Sequence, residues 1–166
     1  LKGKIPCRIA RISFSGELAF EVYIKSDFAN TMMDLLWENA QKHNGCLYGL
    51  EALGALRIEK GHVTGAELDG RVTIDDAGLG KMASIKKSYI GSAMRKRGVL
   101  SADNRETLVG FFPADLKETF NAGTIVCEKN NISGQGIGRI TSVTHSPELG
   151  HWIGIGFVEG GLDKWK

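Results

Sequence analysis

The sequence contains no apolar run long enough to cross a bilayer, which takes about 18–20 consecutive apolar residues. Its first residues, Leu1–Lys4, are charged and lead into a strand-like segment, unlike a secretory signal. We therefore expect a soluble, cytoplasmic chain without a membrane partner. The 166 residues suffice for one compact domain or two small ones. Because the sequence does not begin with Met, we also expect it to be part of a longer polypeptide.

Cysteine and histidine are too few and too scattered for a disulfide framework or a metal centre. The three cysteines, Cys7, Cys46 and Cys127, form no Cys-x-x-Cys pair. The four histidines show none of the usual zinc-binding spacings, although His145 and His151 could meet on neighbouring strands. We expect buried free thiols in a reducing compartment and no metal ligand.

The net charge of +2 is too small to indicate nucleic-acid binding, and we expect no nucleic-acid partner. The charges are nevertheless uneven, because no acidic residue occurs from Ala77 to Ala102. The basic residues of that stretch are Lys81, Lys86, Lys87, Arg95, Lys96 and Arg97. A solvated surface is the first interpretation of such a run. A site for a polyanionic ligand tail, a subunit contact and a nucleic-acid surface are the alternatives.

The first part of the chain predicts a β-hairpin followed by two helices. Strands are predicted at Cys7–Phe14 and Ala19–Lys25, around a short glycine turn. A helix capped by Ser26 or Asp27 follows, and Asn44-Gly45 ends it. A second helix is predicted from Leu50 to Lys60. The apolar stripes of both helices indicate core packing rather than a ligand site.

The second part predicts loops and then a small β-domain. Residues 61–82 are rich in Gly and Asp, and we expect long loops with short strands there, of a kind that is often functional. A short helix is predicted at Ile90–Lys96. Four short β-type runs follow, at Leu108–Phe112, Thr124–Glu128, Gly138–Thr144 and Trp152–Val158. The fold class is therefore α+β first and all-β second, with residues 1–103 forming one part and 104–166 a small antiparallel β-barrel.

Two motifs suggest chemistry that their context does not support. The glycines of Gly134–Gly138 lead into a strand rather than a helix, so a bulged or closely packed turn is predicted instead of a phosphate loop. The hydroxyls and imidazole of Ser142–Ser146 lack the geometry of a triad, and a Ser-Pro turn is the simpler interpretation.

Glu21 is the strongest candidate for a functional residue from spacing alone. It lies in the middle of a predicted strand, on the face it shares with Ala19 and Tyr23. If that face lines a pocket, the carboxylate can accept two parallel hydrogen bonds from a pterin or a guanine edge. A solvent-facing glutamate is the alternative.

Three blocks of the sequence, Arg11–Val22, Tyr48–Gly61 and Gly138–Leu149, together resemble the glycine-cleavage T-protein family, and most closely its version in the alpha subunits of heterotetrameric sarcosine oxidase. The first, Arg11–Val22, is similar to the family's "R-x-S-F-T-G-E-L-x-F-E-V". The second, Tyr48–Gly61, is similar to "Y-G-x-E-A-L-x-x-L-R-x-E-K-G". The third, Gly138–Leu149, is similar to "G-x-V-T-S-x-x-x-S-P-x-L" of the terminal barrel. The blocks occur in the family's order and span most of the chain.

The resemblance implies part of a folate-binding α+β body followed by a small β-barrel. It implies that Glu21 binds the pterin of tetrahydrofolate and that Phe14 and Tyr23 form walls of the cavity. The implied function is transfer of the methyl-derived carbon of sarcosine to tetrahydrofolate. FAD and NAD are expected only in other parts or subunits of such a complex, and those subunits are the implied partners. The basic segment Lys81–Arg97 would then receive the folate glutamate tail or a flavin-bearing subunit.

Departures from the family limit this transfer. Leu53 replaces an arginine of the T-protein version, and Lys81 replaces an aromatic residue of many relatives. Phe14 stands where T-proteins carry tyrosine, so its ring is kept and the hydroxyl is lost. The family's catalytic Asp lies upstream of these residues, which leaves no catalytic residue to assign. A T-protein-like aminomethyltransferase and a folate-binding scaffold without catalysis are the alternative functions.

Overall fold

The structure is a computed structural model that describes residues 4–84, 86–131 and 133–165, without the side chain of Leu162. The chain divides into two compact units, one ending at Lys60 and one beginning at Gly61. The predicted division at residues 103–104 stays a prediction. Within the described ranges, no helix has the length and apolar character needed to cross a membrane.

The first unit begins with a two-stranded antiparallel sheet. Strand β1 (Cys7–Ala10) pairs with strand β2 (Glu21–Ile24), and Ala10 lies opposite Glu21. The predicted hairpin is confirmed, but both strands are shorter than predicted and residues 11–20 connect them. A local turn forms this connection, because the Gly16 N–H donates to the Ser13 hydroxyl over 2.9 Å. The short glycine turn is therefore only part of a longer loop.

Two helices complete the first unit. Helix α1 (Ala29–Lys42) follows a 3-10 turn at Ser26–Phe28, and no side chain caps it. The predicted cap by Ser26 or Asp27 is wrong, because both residues belong to that turn. Asn44 ends α1 with a left-handed φ of +56°, as predicted. Helix α2 (Leu50–Lys60) has the predicted bounds.

The apolar stripes of these helices are not the core that the sequence predicts. Leu35 is 46%, Leu36 49% and Leu50 85% exposed. Of the described residues in this unit, only Ser15 and Ile58 are buried. A two-stranded sheet and two helices offer too little surface to cover both stripes, which explains the difference.

The second unit contains a four-stranded antiparallel sheet in the order β3-β6-β5-β4. Its strands are β3 (Glu106–Phe111), β4 (Ile125–Val126), β5 (Gly138–Ser146) and β6 (His151–Glu159), and a short helix α3 (Gly161–Lys164) follows. All four predicted β-type runs are found, with shifted ends. The α+β fold class is thereby confirmed.

Strands β5 and β6 form the centre of this sheet. Gly138 lies opposite Val158, and a Cβ atom on Gly138 would collide with the Phe157 carbonyl oxygen. The prediction of close packing at these glycines is confirmed there. The turn after β5 is closed by hydrogen bonds from the Leu149 and Gly150 amides to Ser146, as its Ser-Pro sequence predicts.

The loops before this sheet contain turns but none of the short strands that the sequence suggests for residues 61–82. A 3-10 turn forms at Gly80–Met82. The predicted helix at Ile90–Lys96 is a turn that ends in 3-10 geometry at Met94–Lys96. Repeated glycines interrupt helical hydrogen bonding here, which limits each element to one turn.

All three cysteines are free, but the expected burial is wrong. Cys7 and Cys46 are exposed and Cys127 is half-buried. Cys7 begins a strand of the two-stranded sheet, and Cys46 lies in the link between α1 and α2, so neither position is covered. His145 lies opposite Trp152, and His151 lies opposite Ser146. Among the described residues, no three His, Cys, Asp or Glu side chains are arranged to hold a metal ion.

Candidate functional site

Two of the predicted site residues meet on strand β2. Glu21 is the first residue of β2 (Glu21–Ile24), so its predicted place in the middle of a strand is wrong. Glu21 and Tyr23 nevertheless alternate with Val22 and therefore project from the same face of the strand. The Tyr23 hydroxyl donates a hydrogen bond to a Glu21 carboxylate oxygen. The Glu21 side chain is half-buried and Tyr23 is 49% exposed. The strand thus presents a carboxylate and a phenol ring at a partly accessible position.

The carboxylate also changes the acidity of its neighbour. The hydrogen bond to Glu21, with smaller contributions from desolvation and from the Glu21 charge, raises the pKa of Tyr23 above its ordinary value. Tyr23 therefore remains a hydrogen-bond donor at neutral pH. Because a carboxylate has two acceptor oxygens, this bond leaves acceptor positions on Glu21 for a ligand.

Phe14, the third predicted residue, lies in the loop between β1 and β2. Its side chain is half-buried. The loop is fixed at the end of α2, where the Lys60 ammonium donates to the Ser13 carbonyl over 2.6 Å. The neighbouring Ser15 is 9% exposed. This loop therefore holds Phe14 through contacts that are separate from the pairing of the two strands.

A second cluster of polar side chains, which we call the Glu67 cluster, lies inside the second unit. Glu67 is fully buried. One carboxyl oxygen accepts hydrogen bonds from the Thr64 amide over 2.8 Å and its hydroxyl over 3.1 Å. The other accepts from the hydroxyls of Thr141, over 2.7 Å, and Ser142, over 2.6 Å. Glu67 therefore joins the loop after Gly61 to strand β5.

An ion pair between Asp76 and Arg105 makes a similar connection. The Arg105 Nε–H donates to Asp76 Oδ1 over 2.8 Å, and the Thr73 amide donates to Asp76 Oδ2 over 2.7 Å. Burial raises the pKa of Asp76, but the hydrogen bonds from Arg105 and Thr73 outweigh it and hold the pKa below its ordinary value. The carboxyl group is ionised at neutral pH.

Glu67 and Asp76 were not predicted from the sequence as residues of a polar cluster. A signal for both exists, because Thr64–Glu67 and Thr73–Asp76 each have Thr three positions before an acidic residue. In that pattern the acidic side chain bonds back to the amide of the threonine. Both pairs make this bond. The partners on β5 and at Arg105 carry no comparable signal.

The structure describes all the basic residues of the segment Lys81–Arg97. Of these, only Arg95 is half-buried. Its guanidinium Nη2–H donates to Asp75 Oδ1 over 2.6 Å. Nη1–H donates to the Ala83 carbonyl over 3.1 Å. The described lysines of the segment are exposed, in agreement with the first interpretation of a solvated surface.

Comparison with protein families gives two matches along the chain. The profile described as "GCVT N-terminal domain" matches residues 2–87. The profile described as "Glycine cleavage T-protein C-terminal barrel domain" matches residues 107–165. The first match contains Phe14, Glu21 and Tyr23, and the second contains the four-stranded sheet except for Glu106, the first residue of β3.

Similar curated proteins carry two kinds of name. The sarcosine oxidase subunit alpha of Rhizobium meliloti (strain 1021) is 38% identical over 157 residues, which are 93% of this chain and 16% of that protein. The aminomethyltransferase of Corynebacterium jeikeium (strain K411) is 31% identical over 162 residues, 92% of this chain and 39% of that protein. The chain therefore spans less than half the length of either relative.

A solved structure has a similar fold. The crystal structure of glycine cleavage system aminomethyltransferase T from Bartonella henselae matches with a TM-score of 0.78 and 22% sequence identity. The match covers 91% of this chain and 41% of the solved chain. At that identity the likeness establishes the fold alone.

Proposed function

Because the chain belongs to the glycine cleavage T-protein family, we propose that it is the folate-binding part of a one-carbon transfer enzyme of the sarcosine oxidase alpha-subunit type. The observation that carries this proposal is the half-buried Glu21 carboxylate, held beside Tyr23 on one strand face. The 38% identity to a sarcosine oxidase alpha subunit supports the enzyme type.

The side chains present suit a pterin ring. A pterin offers an N–H and an NH2 group side by side, and a carboxylate can accept both in parallel hydrogen bonds. The Tyr23 hydroxyl uses one acceptor position of Glu21, which leaves positions for the ligand. Partial burial strengthens such bonds because fewer waters compete for the same oxygens.

Phe14 and Tyr23 supply apolar ring surface for this ligand. Aromatic rings stack on flat heterocycles, and such contacts contribute about 0.5–1.5 kcal/mol beyond the area they bury. Phe14 has no hydroxyl, so its contribution is limited to packing. We assign Glu21 to anchoring the ring and the two aromatic residues to the walls of its site.

The role of this chain in the reaction is binding and orientation. Tetrahydrofolate supplies, when bound, the nitrogen nucleophile that accepts the one-carbon unit. Glu21 fixes the orientation of the pterin, which turns an encounter in solution into a positioned reaction. The substrate that we propose for the enzyme is sarcosine, an N-methyl amino acid. FAD and NAD belong, in the same proposal, to other parts or subunits of the complex.

An aminomethyltransferase is the second candidate, because relatives with that name are 29–31% identical to the chain. Leu53 argues against an aminomethyltransferase, because the T-protein version of helix α2 has an arginine at this position. An activity assay separates the two functions. A sarcosine oxidase turns over with sarcosine and a flavin, whereas an aminomethyltransferase turns over with an aminomethylated lipoyl carrier.

The folate proposal is tested by calorimetric titration of the full-length polypeptide with tetrahydrofolate. Glu21→Gln should weaken binding about tenfold or more, because one acceptor oxygen and the negative charge are lost. Glu17→Gln is the matched control, since Glu17 is an exposed glutamate of the preceding loop. Equal affinity of the wild-type and Glu21→Gln proteins would rule out Glu21 as the anchor.

A further inference from the structure

A concave site in the second unit is lined by cationic side chains and hydroxyls. The cavity has a volume of about 550 Å³, and its lining includes Lys86, Lys87 and Lys96. Three serines, at positions 84, 88 and 92, line it as well. Small-molecule sites in proteins commonly have volumes of about 300–1,000 Å³. We refer to this site as the lysine cleft.

Arg95 contributes structure rather than free charge to the lysine cleft. Its guanidinium pairs with the Asp75 carboxylate through two nitrogens and also donates to the carbonyls of Gly80 and Ala83. The hydrogen bonds that Arg95 makes to Asp75 and, to a smaller extent, to Tyr89 raise the pKa of Arg95 above its ordinary value. One arginine thereby joins the turn around Gly80 to the turn that carries Lys96.

The charges of the three lysines are not neutralised within the described part of the chain. No ion pair found there involves Lys86, Lys87 or Lys96, and all three are exposed. No acidic residue occurs from Ala77 to Ala102. A cleft lined by charges of one sign concentrates ions of the opposite sign. The lysine cleft is therefore suited to an anion.

The geometry points to the lysine cleft as a binding site for a small polyanion that carries phosphate or carboxylate groups. The three ammonium groups supply the opposite charge, and the serine hydroxyls supply neutral hydrogen-bond donors. A single monovalent anion would leave part of this charge unmatched, so a ligand with two or more anionic groups is favoured. All of these residues lie in the second unit, so the inference does not depend on the pterin site.

Calorimetric titration of the full chain with pyrophosphate and, separately, with tri-L-glutamate tests this site. At least one of them should bind at low salt, and the affinity should fall as added salt screens the lysines. Lys86→Gln/Lys87→Gln should weaken binding about threefold to tenfold. The control, Lys25→Gln/Lys117→Gln, removes the same charge from two exposed lysines outside the cleft and should leave the affinity within about twofold of wild type.

The outcomes separate the sources of the anion. Preference for pyrophosphate identifies a phosphate-bearing ligand, and preference for tri-L-glutamate identifies a polycarboxylate. If the control variant lost as much affinity for the anion, the net charge of the protein rather than the lysine cleft would explain binding, and the proposal would be overturned. Failure of both probes to bind at millimolar concentration would overturn it as well, as would lysine-dependent binding of a single-stranded oligonucleotide without either small anion. Circular dichroism verifies that the variants fold.

Discussion

The two compact units bury their side chains to very different extents. Of the nine buried hydrophobic residues among those described, only Ile58 lies in the first unit and the others lie in the second. The same holds for buried polar residues, where Ser15 is in the first unit and Glu67, Asp76, Ser142 and Ser146 are in the second. In the first unit, Leu18, Phe20 and Leu50 are all more than half exposed.

This contrast shows that a region can form regular secondary structure without a buried core that stabilises it. The first unit forms regular helices and a sheet although it has almost no core, so its elements follow from local patterns. The second unit has few regular elements outside its sheet, yet strand β6 buries a continuous apolar segment, residues 153–158. Burial is the main source of folding free energy. We therefore expect substitutions in the second unit to cost far more than comparable ones in the first.

Phe157→Ala should produce the largest effect. Phe157 has no exposed surface, and truncating a buried phenylalanine costs about 3–5 kcal/mol in free energy of unfolding. Phe20→Ala is the matched control, because Phe20 is 58% exposed and should cost less than about 1 kcal/mol. Amide hydrogen exchange of strand β6 measures the stability of the second unit. Equal losses from the two substitutions would contradict the contrast between the units.

Glu67→Ala should come next, at about 2–4 kcal/mol, because several donors lose a buried acceptor at once. Ser142 and Thr64 would then have to find other partners or water. Denaturant unfolding of this variant, beside Glu17→Ala in the first unit, gives the comparison. A loss no greater than that of the exposed Glu17 would mean that the Glu67 cluster does not stabilise the loop after Gly61.

Asp76→Asn should have the smallest of the three effects, about 1–3 kcal/mol at neutral pH. The pKa of Asp76 is lowered in the folded protein, so its stabilising contribution is present above the ordinary value, about 3.9, and is lost as pH falls through the lowered pKa. The wild-type and variant stabilities should therefore converge in acid. Asp34→Asn, at an exposed position on α1, is the matched control and should cost less than about 1 kcal/mol at neutral pH. A gap that stays constant down to pH 2 would exclude this ion pair as its cause.

Sequence patterns were most informative where a local rule was sufficient. The bounds of α2 follow from its apolar spacing and from Gly61, which has a φ of +73° after the helix. Asn44 ends α1 for the same conformational reason. The ends of β1 were wrong because residues 11–14 have strand-like composition but leave the sheet to form the loop. Composition describes a preference, and hydrogen-bond partners decide whether it is realised.

For the candidate site, too, local rules predicted part of the arrangement and contacts between distant residues decided the rest. Strand alternation places Glu21 and Tyr23 on one face, and the structure joins them by a hydrogen bond. The resemblance to the T-protein family, which the profile matches confirm, supplied the pterin hypothesis. No sequence rule indicated that Arg95 would pair with Asp75, which is 20 positions away. The exposure of Cys7 and Cys46 was likewise unpredictable from residue type.

The amino-acid sequence alone was enough for the family, the α+β class, the positions of the strands along the chain and the location of one unusual carboxylate, Glu21. Those properties depend on residues a few positions apart or on ordered motifs. Only the tertiary structure decided that Glu67 is buried against Ser142, 75 positions away, while Leu50 remains 85% exposed. Burial and ion pairing depend on surfaces that distant segments bring together, and a local pattern contains no information about those surfaces.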